Sequence, residues 1–252
     1  MSALTAWIDR TFYPRLGANW DTQQLRDRID ARLTPDMEIL DLGSGRGHLE
    51  LLRFHGRCKF VAGVDPDPIV LSNTNLDEAK VQEPPRYAIP YPDNRFDLVF
   101  CSSVIEHVSD PTFFFSEAFR VLRPGGLFLA KTPNRRHYVA TIARATPHRF
   151  HDFYNRLRGR SSHDTFPTVY ACNTPGELRS VASAVGFKVL AINVVEGRPE
   201  YLRLTAPTYL AGLAYERMVN SAELFRGIRC VLFVELQKPV TLKSAARPSP
   251  QS

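Results

Sequence analysis

The feature that most constrains this chain is the stretch Asp41-Leu42-Gly43-Ser44-Gly45-Arg46-Gly47, at the end of a mainly apolar segment from Met37 to Leu42. A mainly apolar segment of that length closed by glycines reads as a buried strand entering a tight turn. Glycines let a backbone pass close to a ligand. A helix continuing over His48 to Phe54 would present its unpaired amide N–H groups at the same place. At the carboxyl end of a strand such a turn is a natural cofactor site.

The alternation that follows fixes the fold class. Lys59 to Val64 reads as a second strand ending at Asp65, with a helix after Pro68 carrying Ile69 and Leu76. Tyr87 to Ile89 reads as a short third strand, Phe96 to Ser102 as a fourth, and Pro111 to Leu122 as a helix. Pro124-Gly125-Gly126 turns into a fifth strand, Leu127 to Lys131. After an irregular stretch over 133–173, Thr174-Pro175-Gly176-Glu177 combines a capping box with proline at the first helical position. That helix stops at Gly186 and leads to a strand, Phe187 to Val195; a helical stretch from Thr208 to Phe225 and a last strand from Arg229 to Leu236 complete the pattern. Strands and helices alternating at this pitch predict a parallel sheet wound by crossover helices. Residues 1–34 read as an N-terminal helical cap, broken into two short helices by Pro14 and Gly17, and 239–252 as a disordered polar tail.

Composition narrows the class. A chain of 252 residues with 44% hydrophobic and 23% charged side chains builds one soluble α/β domain with trimmings. No apolar run approaches a membrane span, and Asp9 and Arg10 interrupt the region a secretory signal would need, so a cytoplasmic location is expected. Cys58, Cys101, Cys172 and Cys230 form no C-x-x-C pair, and no clustered ligand set is present, so neither a metal nor a disulfide framework is expected. The net charge of +6 is compatible with an anionic partner and equally with an ordinary basic protein.

The identity of the cofactor turns on two carboxylates. The turn is G-x-G-x-G, not the G-x-G-x-x-G of a pyrophosphate cradle, and Asp41 stands just ahead of it. A carboxylate there repels a pyrophosphate and suits a cationic ligand with an amino group and a sulfonium, which favours S-adenosylmethionine over NAD. Asp65, at the end of the second strand, is placed to accept hydrogen bonds from ribose hydroxyls.

These segments, together with Ile89-Pro90-Tyr91-Pro92-Asp93-Asn94-Arg95-Phe96-Asp97-Leu98-Val99, Ser103-Val104-Ile105-Glu106-His107-Val108 and Val121-Leu122-Arg123-Pro124-Gly125-Gly126, resemble the successive signatures of class I S-adenosylmethionine methyltransferases. The group most resembled is the one that includes ubiquinone- and menaquinone-biosynthesis-type enzymes. The resemblance covers about residues 37–131 and, more weakly, 174–236. It implies an α/β, Rossmann-like doubly wound seven-stranded sheet, mostly parallel with the last strand antiparallel, over 35–238. It further implies that Asp41, Gly43 and Gly45 border the methionine part of S-adenosyl-L-methionine, that Asp65 holds the ribose, that Pro66 and the turn at Tyr87 and Ala88 flank the adenine, and that Ser44, Gly47 and Ser102 also belong to the cofactor site. Many relatives carry an acidic residue before the adenine turn; here Pro84, Pro85 and Arg86 stand there instead.

Methyl transfer is a direct displacement, so the protein mainly aligns the acceptor with the methyl group. A hydroxyl acceptor also needs a base, and His107, after the fourth strand, is the candidate; a structural histidine packing beside the cofactor is the alternative. Ser102 and Ser103 lie in no nucleophile elbow. The 133–173 insert is rich in arginine and histidine, and Arg156, Arg158 and His163 are candidates for gripping an anionic acceptor. Leu210, Leu213, Ala214 and Met218 share a helical face that would suit a lipid-linked acceptor, although such faces more often pack on their own domain. The expected activity is O-methylation of a small-molecule or glycan-type acceptor. The rivals are a tRNA methyltransferase, for which no RNA-recognition signature is visible, and a non-catalytic S-adenosylmethionine-binding protein.

Overall fold

The computed structural model describes residues 3–145, apart from 15 and 18, and residues 167–240. Two short helices, α1 (Ala3–Phe12) and α2 (Trp20–Asp30), precede a seven-stranded sheet. Its strands are β1 (Glu38–Leu42), β2 (Phe60–Asp65), β3 (Glu78–Val81), β4 (Phe96–Ser102), β5 (Leu122–Pro133), β6 (Lys188–Val195) and β7 (Val231–Gln237). They lie in the order β3-β2-β1-β4-β5-β7-β6. The first five run parallel, and β7 runs antiparallel to both β5 and β6. The expected doubly wound sheet with an antiparallel last strand is therefore present.

Alternation of side chains along the strands sends two hydrophobic sets to opposite faces. Leu40, Val64, Val99, Cys101 and Phe128 meet Phe115, Ala118 and Val121 of α3 (Pro111–Val121) and Leu178 and Ala182 of the later helix Pro175–Val185. Ile39, Val61, Leu98, Phe100, Leu129 and Phe233 meet Trp20, Leu25 and Ile29 of α2. Covered on both sides, β4 is buried almost throughout, as a central parallel strand must be. The helices start where their caps dictate. Asp110 accepts from Phe113 N before Pro111 opens α3, and Thr174 caps Pro175–Val185, which ends on Gly186 at φ 108°. Counting the segment Tyr138–Ala145 as α4, that helix is α5, and Ala206–Ser221, with a Thr205/Thr208 capping box, is α6. None of the described helices is long and apolar enough to cross a membrane.

Three expectations are corrected in the first half of the sheet. The helix expected over His48–Phe54 is only a 3-10 turn, Glu50–Leu52. A segment so short does not repay helix nucleation, and Arg26 Nη1 of α2 takes the Leu51 carbonyl at 2.7 Å. The helix expected after Pro68 is likewise a 3-10 turn, Pro68–Ser72, halted where the Asn73 side chain accepts from Asn75 N at 3.0 Å. The third strand is Glu78–Val81 rather than Tyr87–Ile89; it pairs with Ala62–Asp65, whereas Tyr87 sits in a left-handed turn at φ 54°. Glu78-Ala79-Lys80-Val81 is an edge strand of intermediate burial, so it carries little of the apolar pattern that marks an interior strand.

One side chain fastens the long link from β3 to β4. Arg120 of α3 donates to the carbonyls of Tyr91 (2.7 Å) and Ile89 (2.8 Å), to Asp93 (2.9 Å) and through two nitrogens to Glu117 (2.7 Å). Replacing it by methionine keeps the stem and leaves these acceptors without their donor. The expected loss is about 2–4 kcal/mol of unfolding free energy, read from urea denaturation.

Candidate functional site

The strand order reverses between β1 and β4, because the chain leaves β1 toward β2 on one side and returns to β4 on the other. At the carboxyl edge above that switch point lies a cavity of about 900 Å³. Its floor is the loop after β1, and its walls come from the loops after β2, β3 and β4.

The floor is held by backbone bonds to the neighbouring strand. Gly43 N and Ser44 N donate to Val64 O at 2.8 and 3.2 Å, and Gly45 N donates to Asp65 Oδ2 at 2.9 Å. From below, Asn73 Nδ2 reaches the Ser44 and Gly45 carbonyls, and Asn75 Nδ2 reaches Gly47 O at 2.7 Å. Gly43, Gly45 and Gly47 all have positive φ, but for different reasons. A Cβ on Gly43 would strike Val104 Cγ2 at 2.3 Å, and one on Gly47 would strike Asn73 Oδ1 at 2.1 Å. A Cβ on Gly45 would meet no atom within 4 Å. Two of the glycines thus admit the protein's own packing, and Gly45 is the one whose Cα is bordered by open space.

Asp41, Gly43, Ser44, Gly45, Gly47, Asp65, Pro66, Tyr87, Ser102 and His107 all line the cavity. The Ser44 hydroxyl is tucked against Gly63, only 2.6 Å from where a Cβ there would stand, and makes no hydrogen bond. Ala88 is exposed and is not among the residues that line the cavity; it follows the left-handed turn at Tyr87 and precedes the buried Ile89. Arg156, Arg158 and His163 lie outside the described residues. Sequence reading missed Gln82, which is buried, lines the cavity and donates from Nε2 to Tyr87 O at 2.7 Å. It follows the edge strand that the apolar pattern did not reveal.

The electrostatics of the cavity are acidic at one end. Burial, reinforced by the charge of Asp65, pushes the Asp41 carboxyl up to about 8. Burial also raises Asp65, opposed by the N–H groups of Asp67 and Gly45 that its two oxygens accept. At the other end, His107 lies in the 3-10 turn Ile105–His107, and its Nδ1–H donates to Pro167 O at 3.0 Å. That bond sets the tautomer and leaves Nε2 as the nitrogen without a proton in the neutral ring. The neighbouring Glu106 is buried, accepts from Thr132 Oγ1 at 2.9 Å, and its carbonyl accepts from Val169 N and Tyr170 N. It ties the histidine turn to β5 and to the segment carrying Pro167.

Known proteins are similar to this chain. A family model described as a methyltransferase domain matches residues 40–130. A ubiquinone biosynthesis O-methyltransferase from a Methylobacterium species is 30% identical over 200 residues, 73% of this chain and 75% of that protein. A probable S-adenosylmethionine-dependent methyltransferase from Mycolicibacterium smegmatis is 38% identical over 101 residues, a match that covers 39% of this chain and only 38% of that relative's length. Among solved structures, the cyclase SpnF aligns with a TM-score of 0.56 at 20% identity, covering 86% of this chain and 81% of its own; this likeness concerns the fold alone. The chain belongs to the class I S-adenosylmethionine-dependent methyltransferases. Its cofactor is S-adenosylmethionine, and the residues present fit it: buried Asp41 and Asp65 give the cavity an acidic end suited to a cationic ligand, and a Cβ at Gly45 would meet open space.

Gly43→Ala places a methyl group into Val104 at a left-handed residue. It is expected to cost about 1–3 kcal/mol of stability, measured by thermal or urea unfolding without cofactor. Gly45→Ala, which meets no neighbour, costs less.

Proposed function

We propose that this enzyme O-methylates a hydroxylated small-molecule or glycan-type acceptor, with His107 taking the acceptor's proton. The observation that carries this is the His107 Nδ1–H bond to Pro167 O, which presents the ring in the tautomer whose Nε2 can accept a proton, on the wall of the same cavity as Asp41 and Asp65. The ubiquinone biosynthesis O-methyltransferases among the relatives support an oxygen nucleophile. In this reading Asp41 holds the amino end of the cofactor and Asp65 the ribose hydroxyls. Pro66, Gln82 and Tyr87 flank the adenine, and Ser102 borders the centre. Bound S-adenosylmethionine supplies a methyl group on a sulfonium, an electrophile that needs no further activation. The chain's own task is to align the acceptor oxygen, keep water out and receive one proton at His107 Nε2.

His107→Gln should lower kcat by about 10²–10⁴-fold toward a hydroxyl acceptor and leave S-adenosylhomocysteine affinity nearly unchanged. An unaltered kcat would remove the histidine from this role. The acceptor is found by incubating the enzyme with labelled methyl donor and fractionated cell extract; label in an ether-linked methyl of a small molecule supports the proposal, and label confined to RNA refutes it.

The Asp41 carboxyl gives a second test. With its value raised to about 8, the free protein holds this proton at neutral pH, and a cationic ligand favours its release. Cofactor affinity should therefore climb as pH rises toward 8, by up to about tenfold per unit, with proton release detectable by calorimetry in buffers of different ionisation enthalpy. The folded state binds this proton more tightly than the unfolded chain, so the same group makes the cofactor-free protein lose stability as pH rises over that range. Asp41→Asn should remove both effects, raising the unfolding temperature of the free protein near pH 8 while weakening cofactor binding about tenfold or more.

A further inference from the structure

We propose a second, separate site: His137, Glu196 and Cys230 form a three-residue binding site for one zinc ion. The three residues are far apart in the chain, and the sheet brings them together. β5, β6 and β7 end or begin at one edge, where Pro133 and Val195 both pair with Val231. His137 stands just beyond β5 at the start of α4, Glu196 directly follows β6, and Cys230 directly precedes β7. The imidazole, carboxylate and thiol ligand atoms all lie within 4.8 Å of one another. None of the three residues lines the cofactor cavity.

Two of the three ligand atoms are buried without a hydrogen bond, and each has the other as its ion-pair neighbour. His137 is 3% exposed and Glu196 8%, and both His137 Nε2 and Glu196 Oε2 lack any hydrogen bond. Those two atoms face each other at 3.4 Å, an ion-pair distance, without a hydrogen bond between them. Orphaned polar atoms in such a setting cost about 1–3 kcal/mol each, so a site that keeps two calls for a third body between them. A zinc ion about 2.0–2.1 Å from each of a nitrogen and an oxygen, at a tetrahedral angle, holds them about 3.3–3.4 Å apart. The observed separation matches that span. Cys230 closes the third corner by a small movement, and water takes the fourth.

The charge balance also selects this ion. Neutral imidazole, one carboxylate and one thiolate carry two negative charges, which a divalent cation cancels, so the buried group is neutral overall. Binding breaks the Cys230 S–H bond and releases that proton to the buffer; the thiolate electron pair forms the bond to zinc, and nothing is oxidised or reduced. Nitrogen, oxygen and sulfur together suit zinc rather than magnesium or calcium, which take oxygen alone. Tyr138 and Tyr215, packed on the His137 ring at centroid distances of 4.2 and 5.7 Å, shield the site. The ion would join the ends of three strands away from the cofactor cavity, so its loss is expected to act on stability rather than on methyl transfer.

The test uses untagged full-length protein, stripped with a chelator, reloaded with zinc and dialysed. About one zinc per chain by elemental analysis is expected, together with a higher unfolding temperature than the stripped protein. Cobalt in place of zinc should give intense tetrahedral visible bands and a thiolate-to-cobalt charge-transfer band, a readout that needs no variant. Cys230→Ser should lose the charge-transfer band, and His137→Gln should lose stoichiometric zinc, in protein whose circular dichroism matches the parent. Zinc well below one equivalent in the parent protein, or a charge-transfer band that persists in Cys230→Ser, would overturn the proposal.

Discussion

Two carboxylates at the ends of adjacent parallel strands govern this structure. Register places Asp41 beside Gly63 and Leu42 beside Val64, so the loop leaving β1 must pass over the end of β2, where Asp65 waits. The loop's first amides bond to Val64, and the Gly45 amide bonds to the Asp65 carboxylate itself. A residue proposed to hold the ribose therefore also shapes the loop that borders the methionine end. The cost is concentrated at Asp41, whose charge burial resists. Under the proposed role of Asp41, a cationic ligand relieves this group, and affinity for the cofactor is coupled to the protonation of the site.

Around that core the molecule divides its labour between two halves. On the β4–β5 side, α3 and α5 make a conventional second layer, fixed by proline starts and good caps. On the β1–β2–β3 side, 3-10 turns replace regular helices, and side-chain amides do the bracing: Asn73 and Asn75 reach the three carbonyls of the glycine loop. The cavity opens where the two regimes meet. Its far wall depends on Glu106, a buried carboxylate that binds Thr132 and, through its backbone, Val169 and Tyr170.

The contrast between the halves explains what the sequence made legible. Val-, Leu- and Phe-rich strands buried on both faces announce themselves, and so did Asp41–Gly47, Asp65 and the Glu106-His107 turn, because their chemistry is local. Edge strand Glu78–Val81 did not, since its four residues are only partly covered and carry charge. With it went Gln82, and the cavity wall was assigned instead to Tyr87 and Ala88, of which only Tyr87 lies there. The crossovers were read as helices because apolar residues at Ile69, Leu76 and Leu52 allow that period; competition from Arg26 and Asn73 for backbone groups decided otherwise. The reasons for Gly43 and Gly47 also lay in distant partners, Val104 and Asn73, which no spacing rule contains. Nor could spacing unite His137, Glu196 and Cys230, whose meeting is a property of the sheet's edge.

The position of β7 has a consequence for how the molecule is made. This strand comes last of the seven in chain order, yet it stands between β5 and β6. Arg28 and Arg32 of α2 grip it through Glu235, and Arg28 also lies over the Phe233 ring at 4.1 Å. Until β7 arrives, β5 and β6 present open edges, and α2 lacks its contacts with Glu235 and Phe233. A nascent chain that has not yet delivered β7 cannot close the sheet, so cooperative folding waits for that strand and exposed edges are the hazard of any stop before it.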